Sequence, residues 1–119
     1  MDKKKLSIRP ELNLGSIVED ENFQNKTLRP ILKLQNDIIL SVFSAFSKKQ
    51  KTDTHTLNKE ALNNYVNLVT KNNTVLRNQF IGIVIGQFTN NEFTTYKEND
   101  LEHNKRIVNM ICQRILDNH

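Results

Sequence analysis

The sequence has one cysteine, no tryptophan, three glycines and two prolines in 119 residues. A lone Cys112 excludes an intramolecular disulfide and any CxxC redox or zinc pair, and its surroundings fit a buried thiol acting as a small apolar residue. So few glycines and prolines argue against a turn-rich, all-β chain. No apolar run approaches the ~20 residues of a membrane span. Lys3 to Lys5 precede Leu6-Ser7-Ile8-Arg9-Pro10-Glu11, which is not the apolar core of a signal peptide. The expectation is a soluble cytoplasmic protein with no membrane contact.

The hydrophobic share is also low, at 37%. The length suits one domain with a single core. A core this lean points to a partner surface, so the chain reads as a homo-oligomer, most simply a dimer. The net charge is +4 with a pI near 9.3. Much of the excess sits in Lys3-Lys4-Lys5 and in Lys48-Lys49-Gln50-Lys51. These clusters could contact phosphate backbones, but no aromatic residues interleave with them and no nucleic-acid motif follows.

Residues 1–22 carry charge with no sustained period, and their scattered Leu, Ile and Val side chains suit an extended N-terminal arm, ordered in part. The domain proper spans 23–119. Within Phe23 to Phe46, apolar residues at 28, 31, 32, 38, 39, 42, 43 and 46 lie on one helical stripe. Thr27 is placed to cap this helix, with Pro30 in its first turn, where a missing N–H costs nothing. Gln35 projects from the centre of the stripe. A buried amide without partners costs on the order of 1–3 kcal/mol, so Gln35 marks either a site or a satisfied structural amide.

A polar linker over 47–57 follows and contains His55, read as a solvent-exposed loop residue. Asn58 is a good N-cap for a second helix running to about Lys71 and burying Leu62, Tyr65, Val66 and Val69. Thr74 to Phe88 reads as a third, central helix, in which Gly82 and Gly86 form a smooth face for close helix approach. Thr89 and Glu92 have the spacing of a capping box, and Phe88 and Phe93 that of a hydrophobic staple. The last helix starts at Asn99 or Asp100 and buries Leu101, Val108, Ile111, Cys112, Ile115 and Leu116. Asn104 falls within that stripe, where it could meet Gln35, while His103 falls on the outer face.

Chemistry is sparsely signalled. No HxxxH or ExxH spacing occurs within a helix, and no GxSxG or phosphate-binding loop is present. Glu98, Asp100 and Glu102 are explained by a helix start, and Lys105, Arg106 and Arg114 by a helix end. No catalytic, cofactor-binding or metal-binding residue is assigned. Gln35 and Asn104 are the candidate buried polar or interface residues.

The run FQNKTLRPILKLQND, with IGQFTNNEF and LEHNKRIVNMICQRI, resembles a group of short uncharacterised bacterial helical proteins. Some of these carry the loose label "glyoxalase". The glyoxalase I fold uses βαβββ modules with His and Glu metal ligands, and neither the strands nor the ligand spacing occurs here. The resemblance therefore brings no functional residue with it.

The sequence as a whole predicts an all-α fold, a small bundle of about five helices behind the arm. Three functional readings follow: a non-catalytic interaction or assembly module, whose partner is a second copy or another protein; a nucleic-acid-binding accessory protein; and a small-molecule binder or enzyme with a pocket near Gln35, Asn104 and Tyr65. No cofactor is implied.

Overall fold

The computed structural model describes residues 2–9 and 22–119. The described chain is all-α, as the sequence predicts, but it contains seven α-helices rather than about five: α1 (Asp2–Ser7), α2 (Arg29–Leu34), α3 (Asn36–Lys49), α4 (Lys59–Asn72), α5 (Thr74–Ile85), α6 (Asn90–Glu98) and α7 (Asp100–Asp117). No described helix is long and apolar enough to cross a membrane.

The helix starts follow from local chemistry. The Asn58 side chain accepts the Ala61 N–H at 2.8 Å and opens α4. Asn73 accepts the Leu76 N–H at 3.0 Å and opens α5 in the same way. At α6 the capping box is complete: Glu92 N–H donates to Thr89 Oγ1, and Thr89 N–H donates to Glu92 Oε1 at 2.8 Å. Orphan N–H groups of each first turn are thereby satisfied. The expected staple takes another form, because Phe88 and Phe93 both pack against Tyr96, with ring centroids 5.5 and 5.8 Å away.

The first long helical segment departs most from expectation. Phe23 already has helical backbone angles, and Gln24–Leu28 form a π-helical turn in which the Arg29 N–H reaches the Gln24 carbonyl. Thr27 is therefore no N-cap. A proline ring presses on the carbonyl four residues before it, and the wider π turn opens that space ahead of Pro30. The segment then kinks at Gln35 (φ −95°, ψ 11°), although the Ile31 and Gln35 carbonyls still accept bonds at 2.9 and 3.0 Å. The kink turns Ile38 outward and leaves Ile39 and Phe43 facing the core.

Helix α7 is the hub and packs against α3, α4, α5 and α6. Its buried side chains are His103, Ile107, Val108, Ile111, Cys112 and Ile115. This phase corrects two expectations. Leu101 is 73% exposed, whereas His103, expected outside, is buried four residues before Ile107. The rest of the core comes from Leu28, Ile31 and Leu32, from Leu62 and Val66 on α4, and from Leu76, Phe80, Ile81 and Val84 on α5.

Gly82 and Gly86 do not form a contact face. Both are exposed, and a Cβ at Gly82 would meet nothing within 4 Å. Nothing in the structure explains the choice of glycine at position 82.

Nor is the N-terminal region an extended arm where it is described. Asp2–Ser7 is helical, and Arg9 is buried against α6. The remainder of the expected arm, residues 10–21, lies outside the described residues.

Candidate functional site

The described fold forms a cleft at the end of α3. The helix closes in a Schellman motif: Lys51 N–H donates to the Lys48 carbonyl at 3.0 Å, and Thr52 N–H to the Ser47 carbonyl at 2.9 Å. Lys51 takes the left-handed position of this motif, with φ 56°. Glycine or asparagine usually sits there, because a Cβ crowds the carbonyl that follows.

The chain then turns tightly. Asp53 accepts the His55 N–H at 3.0 Å, and Thr56 Oγ1 donates to the Asp53 carbonyl at 2.8 Å, closing a 3-10 turn over Thr54–Thr56. This turn sets the His55 imidazole against that of His119, just past α7, with centroids 4.7 Å apart and planes 15° from parallel.

Between these walls lies a cleft of about 460 Å³. Leu40, Phe43 and Ile115 give it an apolar floor, Ser44, Ser47 and Thr54 a hydroxyl lining, and Lys48, Lys51, His55 and His119 a basic rim. Ser47 is buried and accepts a hydrogen bond from Tyr65 Oη at 3.2 Å. The cleft is of the size and make-up of a small-molecule site: a mostly apolar pocket with a few convergent polar groups.

The residues singled out in the sequence lie elsewhere. Gln35 is half-buried at the kink. Asn104, also half-buried, accepts a hydrogen bond from Tyr96 Oη at 2.5 Å. Their carboxamides share no hydrogen bond with each other. Tyr65, expected beside them, supports Ser47 at the α3 cleft instead.

Two other constellations are structural. His103 lies between Phe23 and Tyr96, at centroid distances of 4.6 and 6.1 Å. Arg9 donates to both Glu92 oxygens, at 2.6 and 2.7 Å, and to the Gln87 carbonyl. Thr27 Oγ1 donates to the same carboxylate at 3.1 Å. Burial alone would raise the Glu92 pKa, but Arg9, the Thr89 N–H and Thr27 outweigh it and hold the carboxyl below its ordinary range.

Burial pushes the Cys112 thiol up, against the opposing effects of Thr70 and Lys71, so the reactive thiolate is disfavoured. Among the described residues, no three His, Cys, Asp or Glu side chains gather as a metal site. The basic groups of α7 are partly occupied, since Arg114 donates to Asn36 at 3.0 Å and Lys105 contacts Glu102 at 3.4 Å. In the first lysine cluster, Lys5 donates to the Phe88 carbonyl at 3.0 Å.

The cleft is not legible in the sequence because its walls are some 60 residues apart in the chain. The local signal was Lys48-Lys49-Gln50-Lys51 followed by Asp53 and His55, without the glycine that a left-handed helix end prefers. No protein-family model, curated protein or solved structure matches this chain.

Proposed function

We propose that this protein is a non-catalytic binding module whose ligand seats in the cleft between the end of α3, the 52–56 turn and the end of α7. The observation that carries this reading is the cleft itself, an apolar floor ringed by hydroxyl and basic side chains. The surroundings of Cys112 favour its unreactive thiol form, and the half-buried Glu92 carboxylate is engaged by Arg9, Thr27 and Thr89.

The test is an NMR titration of isotope-labelled protein with small aromatic fragments. Amide shifts are expected at Ser44, Ser47, Thr52, Thr54 and Ile115. Shifts confined to other surfaces, or none with any fragment, would refute the assignment.

A second reading, assembly as a homodimer, is favoured by the apolar side chains left outside near the α4–α5 corner, where Leu68 is 60% and Val75 70% exposed. Solvent exposure of such groups is reduced when a second copy covers them. Sedimentation velocity across micromolar concentrations checks this, and a monomer throughout removes it.

A further inference from the structure

We infer that the cleft selects organic anions: a small apolar or aromatic body carrying one carboxylate or phosphate group. This rests on the reading of the cleft as a ligand site and names the class of ligand it would take.

Lys51 is the cation that helix electrostatics leave unexplained. The C-terminal turns of α3 and α7 both border the cleft, and the negative ends of their dipoles draw cations. That accounts for Lys48 and Lys49, which stand in the last turn of α3. It does not account for Lys51, which lies past the helix end at φ 56°. There a lysine is a poorer choice than glycine for the backbone, yet the residue lines the cleft. A residue held in a sparsely populated conformation beside a cavity points to a role for its side chain.

The two helix ends disfavour an anion by themselves, so the side-chain charges must outweigh them. Neither Lys48 nor Lys51 forms an ion pair with a described carboxylate. The one acidic side chain among the lining residues, Asp53, has Oδ1 turned to the His55 backbone N–H. A bound anion would therefore meet two ammonium groups and the imidazole N–H donors of His55 and His119, while its apolar body covered Phe43 and Ile115. Carboxylate and phosphate share this chemistry.

The experiment uses the whole chain and three probes: 1-naphthaleneacetate, 1-naphthyl phosphate and the neutral 1-naphthaleneethanol. Each is titrated by NMR at low and at physiological salt. Both anions, or the preferred one, are expected to bind in the cleft more tightly than the alcohol, and the advantage should shrink as salt rises.

Lys51→Gly suits the backbone and keeps the fold. It is expected to weaken anion binding about threefold, the effect of one partly exposed charge, and to leave the alcohol unchanged. Lys49→Gln, outside the lining, is the control and should alter neither. Which anion binds better identifies the acidic group.

Equal affinity for alcohol and anions in the cleft would overturn the anion selectivity and leave the binding site standing. So would a Lys51→Gly effect no larger than that of Lys49→Gln. Failure of all three probes to shift cleft amides would overturn the site and the selectivity together.

Discussion

Glu92 receives the buried guanidinium of Arg9 on both oxygens, and one of them also closes its helix cap: Oε1 takes Arg9 Nη2 and the Thr89 N–H, and Oε2 takes Arg9 Nη1 and Thr27 Oγ1. One side chain thus joins the N-terminal segment, the π turn and the start of α6. A carboxylate alone in that place would be costly, but here nearly every lone pair has a donor.

Replacing Glu92 with alanine removes the reciprocal half of the cap and leaves Arg9 buried without its partner. The expected loss is about 3 kcal/mol, read as a fall in the urea midpoint. A double-mutant cycle with Arg9→Ala should show the two losses to be strongly non-additive, by about 1–2 kcal/mol. Additive losses would mean that the pair does not couple.

The same carboxyl gives the protein an acid limit. Its folded-state pKa lies below the ordinary 4.5. Its contribution is therefore complete above the unfolded-state value and is lost as pH falls through the folded-state value. Urea midpoints measured from neutral pH downward should drop in that acid window. Glu92→Gln, which cannot ionise, should be less stable at neutral pH and flatter through the same window.

Lys51→Gly should raise stability by about 1 kcal/mol, because glycine takes the left-handed helix end without crowding the next carbonyl. Lys51→Val should lower it, since a β-branched residue resists that conformation further. Thermal melts of the two variants should move in opposite directions from the parent.

Gly82→Ala is a second stabilising change, of about 1 kcal/mol. Position 82 is inside α5, and its added methyl would stand in open space, so only helix propensity changes. A loss of stability would show that something covers this face in solution.

What could be read from the sequence was local. Asn58 and Thr89 announce their helices because a cap and its target N–H are only three residues apart. The burial of Leu62 and Val66, or of Ile111 and Ile115, follows from a four-residue repeat.

The failures share a different cause. An apolar stripe that starts at Leu101 puts His103 outside, but the buried repeat of α7 runs through Ile107, four residues after His103. Thr27 looks like a cap only if the helix starts after it, whereas the π turn lets helical backbone continue from Phe23 through Pro30. Gln35 is central only to a straight helix, whereas the chain kinks there. The cleft depends on tertiary packing, which brings His119 onto His55 and Ile115 beside Phe43.

The docking of α1 has a kinetic consequence. Asp2 accepts the Asn90 N–H, Lys5 reaches the Phe88 carbonyl and Arg9 holds Glu92, so every one of these contacts spans more than 80 residues of chain. The α1 helix itself buries no side chain. Closing so long a loop is not rewarded until the corner between α5 and α6 has formed. The N-terminal segment should accordingly settle late in folding and let go early in unfolding. Arg9→Ala would then speed unfolding while leaving the folding rate nearly unchanged.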